Sequence, residues 1–360
     1  MIDLPLTLDQ YEAERICVIK PSALGDVVQS LPILPALRER YPSAHISWVI
    51  NRTLSDLVLG HPHLDEAIPF DRQGSWAQWS RLLGVLHSRQ FDLVFDLQGL
   101  MRTGIMTAAT GAQVRVGLQT AREGAHLASN VTIPNTGRDI PAHQRYWRGA
   151  EALGLGESRR QTLIRISKQD SNWAEGQLSQ LKGMVLGIHP GAGWTTKRWP
   201  IEKYAVVGCK FMRMYGGSVV ILGSPDEAEL GEQLEALFNR FVPSKPILNL
   251  SGKTSLKQLS TMLSAVDLLA TNDSGPMHLA AGLGTPVLGI FTCTSPEISG
   301  PPGEQHELIA TRIPCAASYK KVCPHSGADH LACMEELSTD TVCESLVRLI
   351  EKNKLTHRAA

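Results

Sequence analysis

The sequence predicts an α/β protein of two doubly wound domains, each a parallel sheet covered by helices on both faces. Short apolar segments alternate with amphipathic ones along both halves of the chain, an order typical of parallel β-α units. The 360 residues are long for one hydrophobic core and sufficient for two. A polar stretch without strand periodicity, residues 156–182, separates the halves. We expect ligands to bind in a central cleft that both domains face, at the carboxyl ends of the strands.

In the first half, the predicted strands cover residues 15–20, 45–50, 91–97 and 113–118. Residues 25–40 are predicted as one helix, with Pro32 and Pro35 near its start or at a kink, because proline lacks the N–H that a helix interior needs. We expect a first domain of residues 1–160 and a linker of residues 161–182.

In the second half, the predicted strands cover residues 184–189, 218–223, 265–270 and 286–291. The predicted helices cover residues 201–215, 225–238 and 256–265. We expect a second domain of residues 183–335 and a C-terminal helix, residues 336–360, that can pack back on the first domain.

The composition excludes several classes of protein. At 43% hydrophobic and 19% charged residues the chain should be globular, and a formal net charge of zero argues against a whole-protein nucleic-acid binder. The first fourteen residues lack the basic start and apolar core of a signal peptide, and no segment approaches the roughly 20 apolar residues of a membrane span. We therefore expect a cytoplasmic protein, with peripheral attachment to the inner face of the cytoplasmic membrane left open.

Residues 272–287 form the most informative motif. Asp273 and Ser274 are favoured at the start of a helix, and Gly275 lets the backbone approach a ligand closely. His278 lies one turn into the same helix. A helix start after a strand favours an anion, because free N–H groups and the positive end of the helix dipole point outward. The alternative is an ordinary strand–cap–helix unit.

Three further loops follow predicted strands. In residues 20–28, Asp26 opens a helix and is either a general base or a simple first-turn carboxylate. In residues 189–200, a glycine-rich loop carries hydroxyls and Lys197, which suits a diphosphate better than a basic surface turn. In residues 222–227, Glu227 can bind ribose hydroxyls or serve only as a favourable first-turn residue.

Two other patterns predict little. Residues 251–254 resemble the end of a phosphate-binding P-loop, but Ile247 stands where the required upstream glycine should be. Seven cysteines, an odd number, suggest thiols rather than a disulfide framework. Cys315, Cys323 and Cys333, with His325 and His330, are spaced too loosely to predict zinc, and thiols without a metal are the favoured interpretation.

Four segments together, residues 19–28, 91–100, 189–200 and 272–286, resemble the glycosyltransferase family 9 heptosyltransferases in sequence and order. The resemblance implies the two-domain GT-B fold, with an acceptor-binding first domain and a nucleotide-sugar-binding second domain. It implies an inverting, metal-independent transfer of heptose from ADP-heptose to a lipid-anchored acceptor in the lipopolysaccharide inner core. No cofactor, nucleic-acid partner or transmembrane segment is expected.

The resemblance also implies roles for individual residues. Asp26 is similar to the base that deprotonates the acceptor hydroxyl, Lys197 to the ligand of the departing ADP, and Glu227 to the ribose ligand. The implied donor-binding residues are Gly191, Ala192, Thr195, Thr196, Lys197, Glu227, Thr254, Asp273, Ser274, Gly275 and His278. The implied acceptor-binding residues are Ser22, Gly25, Arg102, Arg122, His143 and Arg145.

The chain departs from the family pattern in two places. Gly193 and Trp194 separate the first Gly-Ala from the hydroxyls of Thr195 and Thr196, which leaves open which threonine contacts phosphate. Ser318 stands where a further cysteine is expected in the tail. Three other functions stay open at this point: a related transferase with another nucleotide sugar or acceptor, a nucleotide-sugar-binding protein without catalysis, and a zinc-dependent interaction module in the tail.

Overall fold

The computed structural model describes residues 7–158, 160–243 and 245–355. The chain divides into two compact units, Met1–Arg165 and Ile166–Ala360, and the division falls within the predicted linker. The ends of the predicted domains, residues 1–6 and 356–360, lie outside the described residues, as do residues 159 and 244.

The first unit contains a parallel sheet of six strands in the order β3-β2-β1-β4-β5-β6 among its described residues. The strands are β1 (Arg15–Ile19), β2 (His45–Asn51), β3 (Glu66–Phe70), β4 (Leu93–Asp96), β5 (Val114–Leu118) and β6 (Val131–Ile133). The helices are α1 (Leu24–Ser30), α2 (Ile33–Arg40), α3 (Trp76–Ser88), α4 (Met101–Ala109) and α5 (Ala142–Ala152). Two short 3₁₀ turns cover Arg52–Leu57 and Ala125–Ala128.

The described part of the second unit repeats this sheet in the order β12-β11-β10-β7-β8-β9, again all parallel. The strands are β7 (Val185–His189), β8 (Ser218–Ile221), β9 (Ile247–Asn249), β10 (Leu268–Asn272), β11 (Val287–Phe291) and β12 (Glu307–Ala310). The helices are α6 (Lys168–Leu178), α7 (Ile201–Tyr215), α8 (Ala228–Phe241), α9 (Leu256–Ala265), α10 (Gly275–Gly282), α11 (Pro296–Ser299), α12 (Ala332–Glu336) and α13 (Thr339–Lys352). Its 3₁₀ turns cover Thr195–Lys197, Pro225–Glu227 and Gly327–Asp329.

Both units therefore have the strand order of a dinucleotide-binding fold, with three strands wound each way from the centre. The winding reverses between β1 and β4 in the first unit and between β7 and β10 in the second. At such a switch point the loops that leave the two central strands diverge and open a crevice at the carboxyl ends. The fold class and the doubly wound topology of the prediction are confirmed.

The central strands are buried on both faces, because helices cover the sheet on each side. All residues of β4, β7 and β10 are buried, and their sequences are runs of apolar side chains rather than alternations. This run pattern is why these strands were predictable to within about two or three residues at either end.

The predicted single helix of residues 25–40 is wrong. The structure has two helices, α1 and α2, which are separated at Leu31 and Pro32. Pro32 lacks the N–H that would continue α1, and it instead stands at the N-cap of α2. Pro35 lies within the first turn of α2, where an N–H has no partner inside the helix.

Several elements lack a counterpart in the sequence prediction. They are strands β3, β6, β9 and β12 and helices α3, α4, α5, α6, α11 and α12. The missed strands are short or only partly buried, so their sequences carry little periodicity. Helix α6 lies within the predicted linker and packs against α9 of the second unit.

Helix α13 belongs to the core of the second unit. Its buried side chains Val342, Leu346, Leu349 and Ile350 join the apolar cluster of that unit, and the helix packs against α7, β11 and β12. Among the described residues, no helix combines the length and apolar character that crossing a bilayer requires.

The close packing of α7 on α8 depends on Gly208. A Cβ atom at this position would lie 2.5 Å from Cζ of Phe238, so Gly208→Ala should destabilise the protein by about 1–3 kcal/mol. Gly176→Ala is the matched control, because a Cβ there would meet no atom within 4 Å; it should stabilise α6 by about 0.5–1 kcal/mol through helix propensity. Urea unfolding of both variants measures the difference, and equal stabilities would contradict this packing.

Candidate active site

The predicted donor-binding residues come together at the carboxyl edge of the second sheet. The loop after β7 carries Gly191 to Lys197, the loop after β8 carries Glu227, and the loop after β10 leads into α10. Because parallel strands present their carboxyl ends at one edge, residues more than 80 positions apart in sequence become neighbours there.

Asn272, the last residue of β10, joins the two central loops. Its side chain is fully buried. Its Oδ1 accepts hydrogen bonds from Trp199 N and Tyr204 OH, both at 3.0 Å, and its Nδ2 donates to Pro190 O at 2.7 Å. The amide thus fixes the course of the loop after β7 relative to β10. The sequence motif contained Asn272 but did not indicate this role, since all its partners are distant in sequence.

Lys197 is held by an ion pair at the switch point. Its Nζ lies 2.6 Å from Asp273 Oδ2 and 4.6 Å from the centre of the Trp194 ring. Asp273 is almost fully buried, and its Oδ2 also accepts a hydrogen bond from Thr294 Oγ1 at 2.7 Å. Asp273 therefore restricts the rotamers of a long, otherwise mobile cation, and Thr294 in turn helps to orient Asp273.

The two threonines of the loop differ in their availability. Thr196 is buried; its hydroxyl donates to Lys320 O at 2.8 Å, and the Sγ of Cys293 lies 3.4 Å from it. Thr195 is exposed. The structure thus assigns Thr196 to the interior of the loop, and Thr195 is the threonine that is exposed to solvent.

Helix α10 begins as the sequence motif predicts. Ser274 is the N-cap in an extended conformation and makes no side-chain bond to the first turn, and Gly275 and Pro276 open the helix. An N-terminus of this kind presents backbone N–H groups and a positive dipole end to an anion. His278 lies buried on the same turn, and Ala192 is buried in the neighbouring loop.

Glu227 is the most constrained carboxylate of the site. Its Oε2 accepts hydrogen bonds from Ser224 N and Ser224 Oγ, both at 2.9 Å, and lies 3.3 Å from Nε2 of His189. Burial by itself would raise the pKa of Glu227, but His189 and Ser224 outweigh it and hold the pKa at about 2. The second oxygen, Oε1, accepts no hydrogen bond from the residues that the structure describes, so it remains available to a ligand.

Gly191 lies directly against this carboxylate. A Cβ atom at Gly191 would be 1.9 Å from Glu227 Oε1, so the close approach of the two loops requires glycine here. Thr254, the weakest of the predicted donor contacts, lies half-buried in the loop after β9, immediately before Ser255, which caps α9.

The first unit places Asp26 in the first turn of α1, after β1. Its Oδ1 accepts a hydrogen bond from Tyr146 OH at 2.8 Å, and its Oδ2 lies 3.7 Å from Lys20 Nζ. Lys20 is 2% exposed and stacks over the Tyr146 ring at 4.8 Å, whereas 38% of the Asp26 side chain is exposed. Neither Lys20 nor Tyr146 was among the predicted site residues, and for Tyr146, which is 120 residues away, no local signal exists.

Burial dominates the electrostatics beneath Asp26. It lowers the pKa of Lys20, with the nearby Asp26 and Asp96 acting in the opposite direction. It also raises the pKa of Asp96, although that carboxylate accepts bonds from Gly99 N and Thr103 Oγ1 at 2.9 Å. The two carboxylates offset only part of the cost of placing Lys20 in the interior.

The predicted acceptor-binding residues separate into two groups. Ser22 and Gly25 precede Asp26, Ser22 in the loop after β1 and Gly25 in the first turn of α1. His143 and Arg145 lie on α5, which packs against α1. The Arg145 guanidinium donates to Gly137 O at 3.0 Å and Ile140 O at 3.1 Å.

Arg102 and Arg122 follow β4 and β5 and are exposed. Arg102 stacks on the Phe70 ring at 5.6 Å, and Arg122 pairs with its neighbour Glu123 at 3.8 Å. The geometry therefore groups Ser22, Gly25, His143 and Arg145 with Asp26, and leaves the two exposed arginines on neighbouring loops of the same sheet edge.

The cysteines of the tail gather with Cys293, which lies in the loop after β11. Cys293, Cys315, Cys323 and Cys333 line one small pocket beside Thr196, and all are free thiols. Burial, reinforced by the other three thiols, raises the pKa of Cys333 to about 11. Across residues 7–158, 160–243 and 245–355, no three histidine, cysteine or carboxylate side chains are arranged as a metal site.

Comparison with known proteins identifies the family. The family model described as glycosyltransferase family 9 (heptosyltransferase) matches residues 79–328. The lipopolysaccharide core heptosyltransferase OpsX of Haemophilus influenzae is 30% identical over 294 residues, covering 80% of this chain and 82% of the relative. Lipopolysaccharide heptosyltransferase 1 of Pseudomonas aeruginosa is 28% identical over 337 residues, covering 86% and 88%.

Solved structures show the same fold. The glycosyltransferase family 9 protein of Veillonella parvula superposes with a TM-score of 0.79 at 24% identity, over 96% of this chain and 99% of its own. ADP-heptose lipopolysaccharide heptosyltransferase II of Escherichia coli does so with a TM-score of 0.76 at 23% identity, over 95% and 100%. The GT-B fold predicted from the motifs is confirmed, and the chain belongs to glycosyltransferase family 9, the heptosyltransferases, and is a glycosyltransferase.

Proposed function

We propose that this enzyme transfers heptose from ADP-heptose to an acceptor sugar of the lipopolysaccharide core, with inversion at the anomeric carbon. The observation that carries the proposal is the set of groups at the switch point of the second sheet: a constrained cation, an open helix start and a carboxylate with one unused oxygen. The relatives named above act on lipopolysaccharide, and two E. coli heptosyltransferases of the same fold are named for ADP-heptose or were solved with ADP.

The ribose and the diphosphate of a nucleotide sugar each have matching groups on the second unit. Glu227 Oε1 suits a ribose hydroxyl, because a carboxylate accepts the hydrogen bonds that hydroxyls donate. Lys197 and the start of α10 suit the diphosphate, whose negative charge grows as the glycosidic bond breaks. Thr195 supplies an exposed hydroxyl next to Lys197. Because these groups can neutralise the leaving ADP, we propose that neither a metal ion nor an organic cofactor takes part.

Asp26 of the first unit is the proposed general base. Tyr146 and Lys20 contact its two oxygens, and these contacts orient the carboxylate. In the proposed reaction, the acceptor hydroxyl passes its proton to Asp26 while its oxygen attacks the anomeric carbon, and the bond to ADP breaks on the opposite face. One displacement inverts the configuration and needs no second carboxylate as nucleophile. A lipid-anchored acceptor would place this reaction at the inner face of the cytoplasmic membrane.

The base assignment predicts a large loss of turnover without a loss of donor binding. Asp26→Asn keeps an oxygen for Tyr146 but cannot accept a proton, so kcat should fall about 10²- to 10⁴-fold. The assay follows ADP release from ADP-heptose with a heptose-free lipopolysaccharide acceptor, with EDTA present. Calorimetry should show unchanged ADP affinity, since Asp26 lies in the first unit. Full turnover by Asp26→Asn would overturn the base, and inhibition by EDTA would overturn metal independence.

The phosphate assignment predicts weaker nucleotide binding when the cation is removed. Lys197→Ala should raise the Kd for ADP about ten- to a hundredfold, the range expected for a charge-assisted hydrogen bond. Lys210→Ala is the control, since Lys210 pairs with Asp340 on the exposed side of α7. Calorimetric titration with ADP, UDP and GDP measures both affinity and base preference. Equal ADP affinities of the two variants would contradict the assignment, and tighter UDP or GDP binding would favour another donor.

The close approach of Gly191 to Glu227 yields a matched pair of variants. In Gly191→Ala the new methyl group must displace the carboxylate that it would contact at 1.9 Å, so the Kd for ADP should rise about tenfold or more. Gly193→Ala adds the same methyl group two residues away, where no atom lies within 4 Å, and should bind ADP as the wild type does. If both variants bound ADP equally well, Glu227 would not be a ribose ligand.

A further inference from the structure

We propose that His189 is a positioning residue that determines how strictly the enzyme recognises the ribose of its donor. Its imidazole lies between Glu227, the proposed ribose ligand, and Ser274, at the start of the proposed diphosphate helix. The inference rests on the proposed function in one respect, namely that Glu227 receives a ribose hydroxyl.

The imidazole contacts two loops that are separate in sequence. His189 is the last residue of β7 and is 3% exposed. Its Nε2 lies 3.3 Å from Glu227 Oε2, on the loop after β8. Its Nδ1 lies 3.5 Å from the hydroxyls of both Ser274 and Thr271, on the other side of the switch point. The ring therefore bridges the two halves of the nucleotide site.

The chemistry of the partners orients the ring. A carboxylate only accepts hydrogen bonds, so Nε2 must carry a proton toward Glu227. Nδ1 then faces two hydroxyls that lie 3.2 Å apart, and either hydroxyl can donate to it in the neutral ring.

The position of Glu227 depends on this contact. Among the residues that the structure describes, Ser224 alone would still donate hydrogen bonds to this carboxylate without His189, and it lies three residues away on the same loop. The carboxylate has little room elsewhere, because Gly191 lies against Oε1. Ser224 N, Ser224 Oγ and His189 Nε2 all contact Oε2, which leaves Oε1 as the oxygen that meets the ribose. Loss of the imidazole would let the carboxylate group rotate, so that its two oxygens could exchange places. The effect should therefore fall on recognition of the ribose hydroxyls rather than on binding of the phosphates.

The test compares ADP with 2′-deoxy-ADP and 3′-deoxy-ADP by calorimetry on the full-length protein. The readout is the discrimination ratio, the Kd of the deoxy nucleotide divided by the Kd of ADP, for the deoxy nucleotide that the wild type binds more weakly. The wild type should give a ratio of about ten to a hundred, as for a hydrogen bond to a charged acceptor. In His189→Ala the discrimination ratio should fall to nearly one, deviating from it by no more than about threefold. Glu227→Gln should have the same effect.

Two further variants separate positioning from general damage. His189→Gln carries an amide N–H that can reach Glu227, so it should restore part of the ratio, and it provides the measurement if His189→Ala does not fold. His61→Ala removes a similarly buried imidazole, 3% exposed, from the first unit and should keep the wild-type ratio. General loosening of the site would weaken the binding of ADP and of the deoxy nucleotides by the same factor, and would leave the discrimination ratio unchanged.

The two ways of failing are distinguishable. If the wild type bound all three nucleotides equally and Glu227→Gln bound ADP normally, the ribose assignment of Glu227 would fail and the inference with it. If the wild type discriminated and Glu227→Gln did not, but both His189 variants kept the full ratio, the role of His189 alone would be overturned.

Discussion

The candidate donor site depends on the buried amide of Asn272. It lies at the end of β10, and it satisfies backbone groups of the loop after β7 on one side and the Tyr204 hydroxyl on the other. A loop rich in glycine has many conformations available when it is free, and ordering it costs entropy. Asn272 selects one of them, and the positions of Gly191, Thr195 and Lys197 follow from that choice.

The two units share one topology, but the charges of the paired side chains at their switch points are reversed. At the switch point of the first unit, the buried cation Lys20 lies under the half-exposed carboxylate of Asp26. At the switch point of the second, the buried carboxylate of Asp273 lies under the cation of Lys197, which is 17% exposed. In each case a buried partner of opposite charge orients the group that faces solvent. The first arrangement fits the proposed removal of a proton by Asp26, and the second fits the proposed binding of an anionic leaving group by Lys197.

Much of the fold could be predicted because burial on both faces makes the central strands continuous apolar runs. Strands β7, β10 and β11 were recognisable for this reason. Helices α7 and α9 were recognisable from their amphipathic patterns, and both agree with their predicted bounds. The edge strands β3, β6, β9 and β12 are short or partly exposed and lack that signal. The break between α1 and α2 was indicated by Pro32, but whether a proline starts a helix or kinks one depends on the packing around it.

By itself, the sequence determined the fold class, the family and the candidate residues of the substrate site, because motifs at strand ends are local patterns. Asp26, Lys197, Glu227 and Asp273 were all identified in this way. Only the tertiary structure decided their partners: Tyr146 beside Asp26, Thr294 and Lys197 on Asp273, and His189 between Glu227 and Ser274. It also decided that the hydroxyl of Thr196 donates a hydrogen bond within the protein, to Lys320 O, whereas Thr195 is exposed. The physical reason is that hydrogen bonds and ion pairs form between loops that the parallel sheet brings to one edge. The spacing of the paired residues along the chain does not indicate that they are close in space.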